Sequence, residues 1–517
     1  MGGEVSVSGS AVLAIDLGST GVKVAIIDAN GRVLASAGEV LPLIFTDDGG
    51  VEQDANGWWA AIGRCSRQAI PKSGLGPADI GTVAVTSQYT STVAVDSVGV
   101  PLANTIMWMD GRGRRHHPAI ATSANRDRWI ELHGMAPSGN DDIGHIGVIR
   151  DLWPDVYAAA AAFVEPMDAI AARLTGRVTA TQNTMFPMLS VDNRVWGSTK
   201  YSDELLAMSL LDANKLPYLV PMGDPRGTIT AHAAEHLGIS AHAMVADATI
   251  DSVTSAIGTG ATDSSRCGLI IGTTTVMATH LPDKRHDHAH GLTSAPSPLA
   301  GSYFLVAENG VGGKALDVLV NNIIYPNDGL GEAAPPDAFE RVLAAAASAP
   351  CGAHGVMFLP WLIGSLAPSY HSRTRAAFVN ISLGSNRSDM ARAVVEGVAL
   401  NAAWLLPHFS ALAGSTYGEI GFGGGGASSP MWGQTLADCC GTPVRRLADP
   451  STTNARGAAL VAMIADGRIT LDTSREMLPT AELHHPDQAA HGIYQRLLPQ
   501  FIDFHARSAP FYDALNS

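Results

Sequence analysis

The sequence predicts an α/β protein built from two similar domains that face each other across a cleft. The chain has 517 residues, more than one hydrophobic core usually supports. Two distant segments share one pattern, an apolar strand, a glycine- and hydroxyl-rich tip and a return strand: AVLAIDLGSTGVKVAII from Ala11 and CGLIIGTTTVMATHL from Cys267. Such a duplication predicts two related domains, 1–257 and 258–517, with each tip gripping one side of a polyphosphate.

The first tip carries groups suited to phosphate. An apolar strand before it and a β-branched strand after it predict a hairpin. At the turn, Gly18 presents no Cβ to an approaching ligand, Ser19 and Thr20 add hydroxyl donors, and Lys23 adds positive charge. We therefore predict phosphate binding here. The alternative is a plain turn whose polar residues only close the hairpin.

Asp16 ends the first apolar strand, where a carboxylate is costly unless it is solvated or faces a cation. Mg²⁺ prefers carboxylate and water oxygens, so we interpret Asp16 as directed toward a hydrated Mg²⁺ on a nucleotide. After the second strand, Asn30 and Gly31 form a strong hairpin signal. The opening segment thus predicts a three-stranded antiparallel meander.

Polar residues follow the next predicted strand. An amphipathic helix within residues 51–70, with Asp54 or Asn56 as its cap, leads to a strand at residues 80–86. That strand ends in Ser87-Gln88-Tyr89-Thr90, and polar residues at a strand end commonly line a ligand crevice in α/β folds. A turn with satisfied hydroxyls is the alternative.

Two further polar clusters are candidates for contact with a small polyhydroxylated ligand. Trp108 and Asp110 lie where a strand runs into a polar turn. Asn140 and Asp141 precede a helix that apolar spacing predicts over residues 143–149. We interpret Asp142 as the cap of that helix, which leaves Asn140 and Asp141 open to the ligand.

Asp251 stands where a strand at residues 243–248 gives way to a helix of small residues. An aspartate at a helix start is a favourable N-cap, and the helix dipole keeps it ionised. An ionised carboxylate at such a junction is also what a general base requires. Spacing alone does not separate the two interpretations.

The second tip, Gly272-Thr273-Thr274, repeats the chemistry of the first. Neither tip is a Walker A motif, and Gly312-Gly313-Lys314 lacks the upstream glycine and the following hydroxyl of that motif. No GxGxxG follows a strand in a βαβ unit. The phosphate-binding prediction therefore depends on the pair of tips.

Composition limits the partners. A net charge of −15 argues against nucleic acid and anionic membranes, which both need a basic face. Five cysteines without a CxxC pair argue against a disulfide framework or zinc knuckle. The first ten residues lack a basic region followed by an apolar core, and no window is apolar enough to span a membrane. We expect a cytoplasmic protein, and a homodimer is left open.

Seven motifs spread along nearly the whole chain resemble those of the FGGY family of carbohydrate kinases, of the actin-like, ribonuclease H-like ATPase superfamily, nearest to its xylulokinase-like branch. In chain order they are DLGSTGVKV, SQYTS, TIDSVTSAIGTGA, IGTTTV, FLPWLIGSLAPSYHSRTRAAF, GFGGGGASSPMWGQTLAD and NARGAALVAMIADG. The resemblance implies two actin-like domains, use of ATP with Mg²⁺, and a small sugar or polyol as the acceptor. It makes Asp251 the base that accepts a proton from the attacking sugar hydroxyl.

The resemblance also implies nucleotide contacts in the second half of the chain. Gly424, Gly425 and Ser428 would lie near the adenosine, and Gly312 and Gly313 beside the phosphates. The glycine run leads into a predicted helix with Ser428 or Ser429 as its cap and Pro430 in its first turn. A helix N-terminus after a flexible glycine run suits an anionic ligand.

The acceptor motif departs from the family pattern. Xylulokinases usually carry Gln-Met-His and glycerol kinases Gln-Arg-Glu where this chain has Gln88-Tyr89-Thr90. The substitution removes strong charged contacts to hydroxyls, and Trp108, Asp110, Asn140 and Asp141 would supply replacements. We expect a ketopentose such as D-xylulose, with another polyol, an aldonate or a deoxy-sugar as alternatives. An actin- or chaperone-like ATPase with a protein partner is the rival from another class.

Overall fold

The computed structural model describes residues 9–516 and contains two seven-stranded sheets flanked by helices. The first half of the chain holds the first sheet and several short outlying strands. Its strands are β1 (Ala11–Gly18), β2 (Gly21–Ile27), β3 (Val33–Val40), β4 (Ile44–Phe45), β5 (Val51–Gln53), β6 (Ile80–Ser87), β7 (Val93–Val95), β8 (Thr105–Ile106), β9 (Ala162–Val164), β10 (Thr179–Ala180), β11 (Tyr218–Leu219), β12 (Gly227–Thr228), β13 (Met244–Val245) and β14 (Thr249–Ile250).

The second sheet is formed by strands from residue 267 onward. They are β15 (Cys267–Ile271), β16 (Thr274–Leu281), β17 (Leu292–Pro296), β18 (Tyr303–Val311), β21 (Ile420–Gly423), β22 (Val444–Leu447) and β23 (Thr480–His484), while β19 (Met357–Leu359) and β20 (Ala377–Val379) form a separate pair.

The two sheets repeat one topology. In the first, β1 pairs antiparallel with β2 and β2 with β3, while β6 lies parallel to β1 and β13 parallel to β6. In the second, β15 pairs antiparallel with β16 and β16 with β18, while β21 lies parallel to β15 and β22 parallel to β21. The duplicated order confirms the predicted α/β fold of two similar units.

The helices cover both sheets. In the first half they are α1 (Ala55–Ser73), α2 (His117–Ile120), α3 (Arg126–Leu132), α4 (Asp142–Leu152), α5 (Pro154–Ala159), α6 (Pro166–Thr175), α7 (Asp203–Ser209), α8 (Ala231–Leu237) and α9 (Asp251–Gly258). In the second half they are α10 (Gly313–Leu319), α11 (Ala338–Ser348), α12 (Arg387–Ala413), α13 (Pro430–Cys440), α14 (Thr453–Ala465), α15 (Leu471–Glu476) and α16 (Gln488–Leu515).

Helix α14 crosses from the second half of the chain into the first core. Its residues Ala455, Leu460 and Met463 belong to the same buried cluster as strands β1 and β6. The contact with α9 is close, since a Cβ on Gly457 would lie 1.8 Å from the carbonyl oxygen of Thr254. Chain order thus separates the two sheets, but the first core also includes this later helix.

Local signals place most elements correctly. Asp54 caps α1 by accepting from the backbone N–H of Asn56, as predicted. The prediction for Asp142 is wrong, because Asp141 is the N-cap of α4 and accepts from the N–H of Gly144. Asp141 thus takes the capping role expected of Asp142, while Asp142 is fully buried. Among the described residues, no helix combines the length and the apolar character that crossing a membrane requires.

Candidate active site

The first tip lies at the end of β1 and β2, where Gly18 pairs with Gly21 and Asp16 with Lys23. Lys23 Nζ donates to the carbonyl oxygen of Ser451, which lies in the short 3₁₀ turn before α14. This contact ties the cation beside the first tip to the second half of the chain. The tip is thus held from both halves of the protein.

The acceptor turn, residues 88–91, is linked directly to that tip. Trp108 Nε1 donates to Ser19 Oγ at 2.9 Å, and Ser19 Oγ donates to Gln88 Oε1 at 2.8 Å. Trp108 keeps 43% of its surface exposed, so its ring faces open space beside these groups. The structure therefore brings together Ser19, Gln88 and Trp108, which the sequence assigned to phosphate and acceptor binding separately.

The second tip and the glycine pair at residues 312–313 also meet. The N–H of Gly312 donates to the carbonyl oxygen of Thr273 at 3.0 Å, and the N–H of Gly313 donates to Gly272 at 2.8 Å. Both glycines are required, since a Cβ on Gly312 or Gly313 would lie within 2.8 Å of the tip backbone. Gly272 itself faces open space.

The glycine run at residues 423–426 packs against the strand that enters the second tip. Gly424 has φ +79°, and a Cβ there would lie 2.6 Å from the carbonyl oxygen of Ile271. Gly425 and Ser428 belong to the short 3₁₀ turn that follows. Ser429 occupies the N-cap position of α13 and Pro430 its first turn, although no side chain caps that helix.

The Gly424→Ala variant is expected to weaken ATP binding by about tenfold, because an alanine would be strained at this φ and would push the loop from Ile271. Calorimetric titration with a non-hydrolysable ATP analogue measures the effect. Gly467→Ala is the matched control, since it also has positive φ but no atom lies within 4 Å of its Cβ position. Equal losses in the two variants would contradict the assignment of this loop to the nucleotide.

Asp251 is the first residue of α9, and Ile250 occupies the N-cap position without a side-chain cap bond. The capping interpretation of Asp251 is therefore wrong. Its carboxylate accepts from Ser252 Oγ at 3.3 Å, and its backbone carbonyl accepts from Ser255 Oγ at 2.7 Å. The carboxylate is thus held at the helix start, in a residue that keeps part of its surface accessible.

Two carboxylates with raised pKa values share this region. Burial raises the pKa of Asp251 to about 7, and the charges of Asp16 and Glu308 add to the effect. Burial also raises the pKa of Asp16 to about 6, against the opposing effects of Lys23 and a hydrogen bond from Asn454. The pKa of Asp251 is raised by the charge of Asp16 from the first half and by that of Glu308 from the second half. Asp251 therefore lies where the two halves meet.

Tyr89 belongs to the same cluster. Its pKa is raised far above the ordinary value, first by burial and then by the charges of Glu308 and Asp251, while a hydrogen bond to Ser252 acts in the opposite direction. The phenol therefore stays neutral and can donate a hydrogen bond. Tyr89 and Asp251 both contact Ser252, which brings the acceptor turn to the catalytic candidate.

Sequence reasoning missed Glu308 and Asn454. Glu308 lies on β18, where it is exposed between two buried neighbours. It is the single charged residue of that strand, and this feature of the sequence could have indicated a functional role. Asn454, in α14, bonds to Asp16 and accepts from Ser255 Oγ at 2.7 Å. Its contact depends on a helix that returns from the other end of the chain, so no local pattern indicates it.

Three predicted acceptor contacts have structural partners instead. Asp110 is fully buried and accepts from the backbone N–H of Val51 and from Arg112. Asp141 accepts from three backbone N–H groups at the start of α4. Asn140 accepts from Arg114 Nε at 2.7 Å. We therefore leave Asp110 and Asp141 out of the acceptor site and correct the sequence prediction for them, whereas the partly exposed Asn140 stays a prediction.

The residues present fit a magnesium ion carried by a nucleotide. No group of three or more His, Cys, Asp or Glu side chains within residues 9–516 could enclose a metal alone. Mg²⁺ typically keeps several waters and takes one or two carboxylates together with substrate phosphates. Asp16, partly accessible and with a raised pKa, is a suitable carboxylate for such a shared site.

A duplicated sheet with one glycine-rich tip in each copy is the architecture of the two-domain actin-like, ribonuclease H-like fold. Residues 11–258 match the N-terminal domain, and residues 267–465 the C-terminal domain, of the FGGY family of carbohydrate kinases. The chain belongs to this family. It is accordingly an ATP-dependent sugar kinase of xylulokinase-like type.

Individual relatives carry several substrate names. A xylulose kinase of Staphylococcus epidermidis is 25% identical over 495 residues, covering 94% of each chain. A glycerol kinase of Delftia acidovorans is 28% identical over 501 residues, covering 92% of this chain and 96% of that protein. Among solved structures, a gluconate kinase from Lactobacillus acidophilus superposes with a TM-score of 0.83 at 22% identity, covering 98% of this chain and 99% of that one. The structural likeness supports the fold, the family match gives the reaction class, and neither identifies the acceptor.

Proposed function

We propose that this kinase transfers the γ-phosphoryl group of MgATP to a hydroxyl of a small uncharged sugar, with D-xylulose as the preferred acceptor. The observation that carries the proposal is the position of Asp251, at the junction of the two halves, with a pKa of about 7. A general base works best when its pKa lies near the working pH. The xylulose kinase relatives support the choice of a ketopentose.

In the proposed reaction, the acceptor hydroxyl donates its proton to Asp251 while its oxygen attacks the γ-phosphorus. The bond between that phosphorus and the β,γ-bridging oxygen breaks, and ADP leaves. Mg²⁺, when bound with the nucleotide, neutralises charge on the phosphates. The backbone N–H groups and hydroxyls of the two tips hold the phosphate oxygens, so alignment and charge stabilisation provide most of the rate.

Electrostatics favour an uncharged acceptor over an aldonate. The acceptor turn carries the neutral Tyr89, and its surroundings include the carboxyl groups of Glu308 and Asp251. A sugar acid would bring a further negative charge beside them, which costs free energy unless a cation accompanies it. A ketose or polyol can instead donate hydroxyl hydrogen bonds to these oxygens.

The test measures ADP release from ATP with a panel of ketoses, polyols and aldonates. We expect D-xylulose to give the highest kcat/KM and gluconate to give a rate near that of ATP alone. A best acceptor that is an aldonate would overturn the proposed substrate class. ATP turnover that ignores every sugar would instead favour an ATPase that acts on a protein partner.

The acceptor kcat/KM is expected to fall as the pH falls through about 7, because Asp251 must be ionised to accept the proton and its pKa is raised to about 7. An unshifted aspartate would keep its activity to far lower pH. Glu308 contributes to the raised pKa, so Glu308→Gln is expected to move the acid limb to lower pH. The pH dependence of kcat/KM for both proteins checks this, and an acid limb that Glu308→Gln moves upward would contradict it.

A further inference from the structure

The backbone of the acceptor turn adopts an unfavourable conformation that other parts of the chain must stabilise. Thr90 has φ +58°, a left-handed conformation that β-branched residues rarely adopt. Its neighbour Ser91 accepts from the backbone N–H of Trp108 through Oγ at 3.1 Å, which ties the turn to the Trp108 segment. The direction of Tyr89 therefore depends on how residues 90 and 91 are held.

Glu165 holds these two residues. It follows β9 and precedes α6, yet its side chain makes no cap bond to its own helix. Instead, the fully buried carboxyl accepts from the N–H of Thr90 at 3.0 Å through Oε1 and from the N–H of Ser91 at 3.3 Å through Oε2. A residue more than seventy positions away thus determines the shape of the turn.

A second buried carboxyl group lies close to the first. Asp142 is fully buried, contributes to the raised pKa of Glu165, and accepts from Thr92 Oγ1, which in turn bonds to His145 Nδ1 at 3.2 Å. Two carboxyl groups that share a site hold one proton between them. Burial, together with Asp142, raises the pKa of Glu165 well above its usual range. The neutral form of Glu165 is therefore favoured by burial and by the neighbouring Asp142.

We propose that Glu165 is a positioning residue for acceptor selection: by holding the backbone of residues 90 and 91, it directs Tyr89 toward the acceptor beside Asp251. This inference rests on the proposed sugar-kinase site and assigns to Glu165 no contact with the substrate. Loss of the carboxyl frees the turn from its left-handed conformation and moves Tyr89. The proposed ATP contacts lie on other elements, and Ser19 is the one among them that hydrogen-bonds to Gln88 of the turn.

A purely stabilising role predicts something different. If Glu165 only supported the fold, its loss would lower the amount of active enzyme and leave the relative use of two acceptors unchanged. The ratio of kcat/KM for two acceptors is independent of the folded fraction, so it separates the two roles. The two acceptors are those that the wild-type chain phosphorylates fastest in a panel of ketoses and polyols.

The experiment compares Glu165→Ala, Glu165→Gln and a matched control, Glu396→Ala. Glu396 is also buried and also accepts from a backbone N–H, that of Gly352 at 2.9 Å, but it lies in the second half under α16. We expect Glu165→Ala to raise the acceptor KM about tenfold and to change the acceptor ratio about fivefold, with the ATP KM within about twofold of wild type.

The conservative variant provides a partial rescue. Glutamine keeps one carbonyl oxygen that can accept from one of the two turn N–H groups, while its NH₂ group replaces the other oxygen and cannot accept. Glu165→Gln is expected to give an acceptor ratio between those of wild type and Glu165→Ala, and Glu396→Ala to lower thermal stability without changing that ratio. An unchanged ratio in Glu165→Ala, or an equal change in Glu396→Ala, would overturn the inference. A wild-type chain without sugar-dependent turnover would instead refute the proposed function.

Discussion

The Asp251→Asn variant is expected to lose about 10³- to 10⁴-fold in the kcat of sugar phosphorylation. Asparagine has nearly the same shape, and its amide oxygen can accept the hydrogen bond from Ser252 that the carboxylate accepts at 3.3 Å. It cannot take up a proton at neutral pH, so the attacking hydroxyl keeps its proton. Steady-state ADP release with the best acceptor measures the loss.

ATP binding by the same variant is expected to stay within about threefold of wild type, because the nucleotide contacts proposed above lie on the tips and the glycine run. Asp438→Asn is the matched control, a buried aspartate that accepts from the backbone N–H of Asp487 in the outer part of the second half. Intact turnover in Asp251→Asn together with weak nucleotide binding would contradict the assigned role.

Arg226→Met is expected to lower the free energy of unfolding of the first half by about 3–5 kcal/mol. The guanidinium is fully buried and bridges Asp168 at 2.8 Å and Asp247 at 2.9 Å. It also donates to the carbonyl oxygen of Thr179 at 2.7 Å. Methionine fills similar volume but leaves two buried carboxylates without a counter-charge. Urea unfolding measures the change.

The pH dependence of that loss tests its electrostatic origin. Burial raises the pKa of Asp168 to about 6 and also raises that of Asp247, even with Arg226 in place. Without the guanidinium both folded-state pKa values rise further above the unfolded values, so the stability of the variant is greatest at low pH and falls as pH increases. The destabilisation should be larger at about pH 8 than at about pH 5. A loss that is independent of pH would indicate a packing defect instead.

Local signals account for what the sequence predicted well. The strand and turn pattern around Asp16 and Gly18 depends on neighbouring residues alone, and the structure reproduces it as β1 and β2. The second strand–turn–strand segment, around Gly272, has the same local pattern and forms β15 and β16. The duplicated fold was therefore predictable from the sequence. Patterning of this kind is decided by side-chain periodicity and turn residues.

The remainder depends on contacts that spacing cannot specify. The N-cap of α4 is Asp141 rather than Asp142. The two positions are adjacent and both hold an aspartate, so the sequence pattern alone does not distinguish them. The buried carboxylate of Asp110 accepts hydrogen bonds from Arg112 and from the backbone N–H of Val51, which is distant in the sequence. Glu165 and Asn454 act on the site from elements far along the chain, so their roles follow from packing and not from any motif.

A crystal structure of the chain with Mn²⁺ and a non-hydrolysable ATP analogue tests the central claim most directly. The account predicts an anomalous manganese peak beside the Asp16 carboxylate or one water from it, and phosphates contacting both residues 18–20 and residues 272–274. It also predicts that the Asp251 carboxylate faces the γ-phosphate across a space that fits one hydroxyl. Phosphates bound away from either tip, or Asp251 directed away from the γ-phosphate, would contradict the account.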